Sequence, residues 1–292
     1  MRSLFTLALL GVMAAGQSSV SSRVAWNRPF PPFRIIGNLY YVGASGVSSF
    51  LITTPQGDIL LDGGFSETAP QIERNIAKLG FKITDVKYLL NSHAHYDHAG
   101  GLAELKRASH AQFVASRGDA GTLSSGHQQS FGPGQSDSHF PAVHVDRIIS
   151  DGETVSLGGV TLTAHVTPGH IKGCTTWSMP VSDGGRTYQV VFACSLSVAG
   201  NLLVNNPKYP NIVADYEASF AKMRALPCDV FLGAHPGFFS LDEKYKRMRP
   251  GAPNPFIKPG ELRAFVDEAQ QDFEQQLAQQ RAAARQPGSH SD

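Results

Sequence analysis

Residues 91–101 read NSHAHYDHAGG, and His93, His95, Asp97 and His98 fall within six consecutive positions. The preceding run, DVKYLLNS (85–92), has the composition of a short buried strand. The following run, GGLAELKRAS (100–109), has that of a helix opened by glycines. A chain that concentrates imidazole and carboxylate between a strand and a helix must bring that loop to the edge of a sheet. Such loops carry chemistry in α/β folds. Neutral imidazole and carboxylate are good zinc ligands. His93 and His95 alternate on an extended segment, so their rings can share a side. Four such groups exceed the needs of one open catalytic site, so the loop predicts a second ion or ligands from elsewhere.

Two isolated histidines supply those ligands. His170 in VTPGH and His235 in FLGAHPG each end an apolar strand in a turn of small residues. Six protein ligands can hold two zinc ions: His93, His95 and His170 one, Asp97, His98 and His235 the other. His110, His139, His144, His165 and His290 lack partners at ligand spacing and read as structural or exposed. His127, in a Gly- and Ser-rich stretch, could touch a ligand, but exposure is the expectation.

The rest of the chain supplies a scaffold. RIIGNLYYVG (34–43) reads as a hairpin about Gly37-Asn38, and residues 48–64 as a second pair turning at Pro55–Asp58. Ile72, Ile76 and Leu79 at helical spacing predict a helix stopped by Gly80. Residues 116–141 show little apolar periodicity and read as one long loop. Strands are expected in RIIS, ETVSLGGVTLTAHVTP, CTTWSMPV, RTYQVVFACS and DVFLGAH, and a helix up to Pro227. Leu262, Phe265, Val266, Ala269, Phe273 and Leu277 line one face of a helix over 260–280. No interior linker or repeat interrupts this pattern, so one α/β domain over 34–285 is expected, followed by a disordered tail at 286–292.

Composition narrows the class. A hydrophobic content of 41%, a charged content of 17% and a net charge of +1 describe an ordinary globular protein with no bias toward nucleic acid. Residues 1–16 carry Arg2, an apolar run from Leu4 to Ala15 and small residues for cleavage, the pattern of a signal peptide. The run is short for a ~30 Å hydrocarbon core. Export to the periplasm is therefore expected, with no membrane attachment after cleavage and a Pro- and aromatic-rich extended arm over 17–33. Three cysteines, Cys174, Cys194 and Cys228, leave at least one thiol unpaired.

HAHYDH, TPGH and GAHPG, in this order, resemble the metallo-β-lactamase superfamily over about residues 27–285. The resemblance implies a single-domain four-layer αβ/βα sandwich with two zinc ions at one sheet edge, and the six ligands divided as above. Thioester-, lactone- and phosphodiester-cleaving members usually carry a bridging aspartate in the segment matching VVFACSLSVAG (190–200); here the residue is Ser195. Two β-lactamase subclasses carry a zinc-binding cysteine there, and Cys194 lies one position away. The third carries serine. NLYYVG, ILLDGG, the Pro-rich arm and the run from Ser195 to Gly237 also look like that third subclass. Many of its members pair the cysteine matching Cys228 with one nearer the C-terminus. Residues 240–292 have none, which leaves Cys228 a free buried thiol and the pairing of Cys174 with Cys194 open.

The implied reaction is hydrolysis of the strained amide of penicillins, cephalosporins and carbapenems by a zinc-bound hydroxide, in a monomer, with a small-molecule substrate. His93, His95, His170 and Asp97 would do the catalytic work, with no protein nucleophile. Ser195 and Ser197 would donate to the ring carboxylate. Trp26, Phe30, Phe33 and the 116–141 loop are possible groove walls, and Asp62 either supports the metal loop or caps its own turn. Two alternatives remain: a related dizinc hydrolase of a lactone, thioester or phosphodiester, and a non-catalytic periplasmic zinc-binding protein.

Overall fold

The computed structural model describes residues 23–133 and 137–285; the expected signal peptide, the start of the arm and the C-terminal tail lie outside the described residues. Fourteen short strands run along the described chain. The first sheet contains β1 (Phe33–Ile36), β2 (Leu39–Tyr41), β3 (Phe50–Thr54), β4 (Gly57–Leu61), β5 (Val86–Leu90), β6 (Gln112–Ser116) and, beyond the small pair β7 (His127–Gln128) and β8 (Ser138–His139), β9 (Arg147–Ile149). The second contains β10 (Thr154–Leu157), β11 (Val160–Val166), β12 (Thr175–Asp183), β13 (Arg186–Ala193) and β14 (Val230–Gly233), in that order.

Strand alternation explains the layering. Phe50, Ile52, Leu61, Leu90 and Val114 join the core shared with Trp177, Met179 and Val181 of the second sheet. Their neighbours Leu51, Leu60, Leu89 and Phe113 pack with Ile72, Ile76, Leu102 and Leu105 of the helices Ala69–Lys78 and Leu102–Ser109. Both faces of these strands are buried, so the strands read as apolar runs rather than as alternating ones. The helices Ile212–Arg224 and Glu261–Arg285 cover the outside of the second sheet, with Phe273 against Tyr216 and Phe220 at 4.9 and 5.4 Å between ring centroids. The expected αβ/βα sandwich is therefore the observed one.

Strand direction sets the site. β4, β5, β6 and β9 run parallel, as do β13 and β14. β11 is antiparallel to β12, and β12 to β13, so β11 points the same way as β13. The segments leaving the C-terminal ends of β4, β5, β11, β13 and β14 carry Asp62, His93–His98, His170, Ser195 and His235. Carboxyl ends of strands are where α/β folds gather ligands.

Three sequence expectations are corrected. The stretch 116–141 is not one loop: Arg117–Ser125 is helical, ends on Gly126 at φ 66°, and leads into the pair β7–β8. Gly118 and Gly121 weaken its helical pattern, which hides it from periodicity. The arm is not extended throughout, since Arg23–Trp26 forms a helical turn closed by Asn27 N–H to the Arg23 carbonyl at 3.0 Å. The β3–β4 turn is tighter than expected, Thr54 pairing with Gly57 across Pro55-Gln56.

Candidate metal centre

The loop after β5 is braced before it is functional. Asp62 takes a left-handed conformation at φ 64° and accepts the Ser92 N–H at 2.6 Å. Trp177 Nε1 donates to the Asn91 carbonyl at 3.0 Å, which ties the loop to the second sheet. The Ser92 hydroxyl lies 3.0 Å from His93 Nδ1. Two of the other imidazoles, His170 and His235, have Nδ1 engaged by a backbone carbonyl, which leaves Nε2 facing inward. His170 Nδ1 meets the Ser197 carbonyl at 2.8 Å, and His235 Nδ1 the Gly46 carbonyl at 2.9 Å. Such bonds from the outer ring nitrogen are what hold histidine ligands in orientation.

The six residues form the two groups expected from the sequence. The nitrogens of His93, His95 and His170 lie within 4.8 Å of one another, and so do the ligand atoms of Asp97, His98 and His235. His170 Nε2 faces His95 Nδ1 at 3.0 Å, and His98 Nε2 faces His235 Nε2 at 3.2 Å. Two nitrogens bound tetrahedrally to one zinc ion stand about 3.3 Å apart, given bonds of about 2.0–2.1 Å. Asp97 Oδ2 completes the second group, 3.3 Å from His98 Nε2 and 3.7 Å from His235 Nε2. His93 and His98 lie ring against ring at 4.3 Å, so the groups adjoin. These clusters fit a dinuclear metal centre.

The electrostatics agree with that fit. Burial, with the neighbouring imidazoles, holds His93 and His95 well below the usual histidine range and pushes His170 down to about 4. The first group is therefore neutral near pH 7, the form that binds metal. Burial opposes charge on His98 as well, but Asp97 and Asp62 outweigh it and raise it to about 10. Asp97 is likewise held far below the carboxylate range by His98 and His235, against its own burial. The two acids thus gather positive charge at the second group, where a cation can take the proton's place. Asp62 Oδ2 and His98 Nδ1 are buried without a hydrogen bond and stand 3.7 Å apart, a gap a small ring rotation would close.

A third cluster, His93 with Cys174 and Cys194, is excluded because the two sulfurs are joined in a disulfide. That removes Cys194 as a ligand and settles the pairing left open by the sequence. Cys228 is free but only partly buried, and burial still raises its thiol to about 12.

Other expected residues divide clearly. Ser195 is buried and its hydroxyl lies 3.0 Å from that of exposed Ser197, whose Oγ is 3.4 Å from His170 Nδ1. Trp26 is 41% exposed and sits 5.1 Å from the His235 ring, at the rim. Phe30 and Phe33 do not wall the groove; they pack with Tyr41 and Tyr245 against the core. His127 lines a hollow with His95 and is paired with Asp137 at 2.9 Å.

Asp119 is the important residue that sequence reasoning missed. It lies on the unpredicted helix, is 1% exposed, and packs on Gly173, between His170 and β12. Burial raises its carboxyl to about 8, although the Ala94 backbone and Asn91 side chain pull it down. Its place beneath Ala94, between two ligands, makes it a support for the loop.

Comparison with known proteins agrees with this geometry. Residues 42–235 match the family model of the metallo-β-lactamase superfamily, and the chain belongs to that superfamily. Within it, solved structures of subclass B3 enzymes are similar over most of the chain. BJP-1, a subclass B3 metallo-β-lactamase of Bradyrhizobium japonicum, is 48% identical, with 89% of this chain and 98% of that one covered at a TM-score of 0.85. FEZ-1, the metallo-β-lactamase from Legionella gormanii, is 43% identical over 87% of this chain and 98% of its own, at 0.84. Curated sequences match over shorter stretches. The hydroxyacylglutathione hydrolase of Hyphomonas neptunium is 29% identical over 40% of this chain, which spans only 37% of that protein's length.

Proposed function

We propose that this chain is a zinc-dependent hydrolase of the β-lactam amide bond. The observation that carries the reading is the pairing of an Asp97–His98–His235 group with Ser195, rather than a carboxylate, at the end of β13. The similarity to subclass B3 enzymes over nearly their whole length supports it.

Two zinc ions at the two groups would supply Lewis acidity and a water whose pKa is lowered toward neutrality. His93, His95 and His170, neutral as ligands, would hold the first ion without adding charge, so that it would supply strong Lewis acidity toward the lactam carbonyl. Asp97 holds the second position and can accept a hydrogen bond from the attacking water. The Ser195 and Ser197 hydroxyls, side by side after β13, would donate to the ring carboxylate and so orient the amide toward the metal groups. Hydrolysis then adds water across the C–N bond, with oxygen to the carbonyl carbon and a proton to the ring nitrogen. No serine or cysteine needs to act as nucleophile. A monomeric, exported enzyme is part of this reading, and the Cys174–Cys194 disulfide suits an oxidising compartment. Among the described residues, no helix is long and apolar enough to cross a membrane.

A second reading, thioester hydrolysis, draws on the hydroxyacylglutathione hydrolase matches. One experiment separates the two. Purified protein is assayed on a penicillin, a cephalosporin, a carbapenem and a glutathione thioester, with zinc, with chelator, and with zinc restored. Turnover of a β-lactam that disappears and returns with zinc is the expected result. Turnover of the thioester alone would overturn the proposal.

A further inference from the structure

A cavity of about 270 Å³ opens beside the metal centre, between the loop after β13, the turn after β14 and the helix Glu261–Arg285. Its walls are of two kinds. Leu196, Phe238, Phe265 and Ala269 are apolar, whereas Glu268 and Asp272 place carboxylates on the same stripe of the helix as Phe265 and Ala269. Both acids are exposed, and among the described residues neither is ion-paired. Phe238 and Phe265 stand 4.9 Å apart between centroids with planes at 41°.

The cavity adjoins the metal centre through two residues that each touch one of its ligands. Ser197 lines it, and its carbonyl accepts from His170 of the first group. Phe238 lines it, with its ring against His235 of the second group at 5.3 Å. A substrate held at Ser197 would lie beside this space and can direct one substituent toward it. Aromatic faces beside unpaired carboxylates select an apolar arm that ends in a positive charge. The ring faces attract a weakly hydrated cation, and the carboxylates supply the opposite charge.

We infer that this cavity is a specificity subsite that favours substrates bearing a quaternary ammonium or similar organic cation. The inference rests on the β-lactam reading for its kinetic test and on the cavity alone for its binding test. Screened by solvent, two exposed carboxylates facing one cation give a total preference of about three- to tenfold, which corresponds to about 0.7–1.4 kcal/mol.

The kinetic test compares a cephalosporin carrying a quaternary ammonium group with a neutral analogue of the same shape, on the zinc-loaded enzyme. The cationic compound should show a kcat/KM about three- to tenfold higher, chiefly through KM, because the contact is the same in ground and transition states. The preference should shrink at high salt. It should be lost in the Glu268→Gln/Asp272→Asn double variant, with turnover of the neutral compound unchanged. The binding test follows backbone amide shifts during titration with benzyltrimethylammonium. Shifts at Phe238, Phe265 and Ala269 that disappear in the double variant are expected. An equal substrate ratio in wild type and variant, or a cation that causes no shifts there, would overturn the subsite. Cation binding without turnover of either cephalosporin would instead overturn the β-lactam reading and leave the subsite standing.

Discussion

Replacing Asp62 tests whether the second metal position is built by the residue beneath it. Its carboxylate does two things at once: Oδ1 accepts the Ser92 N–H at 2.6 Å, and Oδ2 faces His98 Nδ1 at 3.7 Å. Asp62→Ala leaves a buried backbone N–H unpaired next to the ligand loop, at about 1–3 kcal/mol. It also puts a Cβ residue without a side-chain acceptor at φ 64°, a conformation costing about 1–2 kcal/mol for an ordinary residue. The wild-type aspartate already bears that second cost, so the net loss of stability should be nearer 2 kcal/mol than 4. Metal affinity at the Asp97–His98–His235 group should fall about 10- to 100-fold, the usual effect of removing the partner of a ligating histidine. Asp62→Asn separates the two roles, because its amide oxygen can still accept from Ser92 while the charge facing His98 is gone. It should fold nearly as well as wild type yet bind the second ion more weakly. Urea unfolding gives the first quantity, and zinc competition with a chromophoric chelator gives the second. If Asp62→Asn binds both ions as tightly as wild type, the support argument is wrong.

Three further outcomes follow from particular residues. Burial raises buried Asp58 to about 6 from an ordinary 3.8, so the folded protein holds a proton there that the unfolded chain releases. Stability from this group is full below about pH 4 and is lost as pH rises through 6; Asp58→Asn should thus gain up to about 3 kcal/mol at pH 8 in urea melts and nothing at pH 4. The disulfide spans 20 residues, a loop whose closure stabilises by about 3 kcal/mol. Cys174→Ala/Cys194→Ala should lower the urea midpoint accordingly, and an unchanged midpoint would mean that the bridge constrains nothing. A Cβ at Gly173 would fall 2.0 Å from Asp119 Oδ1 and 2.5 Å from its backbone nitrogen, so Gly173→Ala should cost about 1–3 kcal/mol and displace His170, read as weaker metal binding at the first group.

The metal centre was legible in the sequence for a physical reason. Histidine is an uncommon choice for the end of a buried strand, so His170 and His235 stood out singly, and the His93–His98 run stood out as a set. The C-terminal helix was equally legible, because its apolar residues from Leu262 to Leu277 recur at helical spacing over about four turns. The helix Arg117–Ser125 was not. It is short, carries two glycines, and is held by its neighbours: Ser116 Oγ donates to the Gly173 carbonyl at 2.7 Å, and Asp119 fills the space that Gly173 leaves. Those contacts join residues more than fifty positions apart, and no local pattern reports them. The places of Phe30 and Phe33 stay open in the sequence for the same reason, since an aromatic beside a proline-rich arm looks alike whether it walls a groove or packs on Tyr41.

The residues legible in advance are those that would contact metal, whereas those read only from the fold are those that hold the ligands still. His98 needs Asp62, His235 needs the Gly46 carbonyl, and His170 needs the Ser197 carbonyl, each from a different strand end. Ser197 also accepts from the Tyr216 hydroxyl at 2.7 Å, so the loop that would meet the substrate carboxylate is anchored to the helix Ile212–Arg224. One short loop therefore orients a metal ligand, borders the proposed cation subsite and presents two hydroxyls to the groove. A change in that loop should alter metal affinity and substrate preference together, whereas a change on the helix face at Glu268 or Asp272 should alter preference alone. That separation distinguishes a specificity pocket from a general loosening of the site.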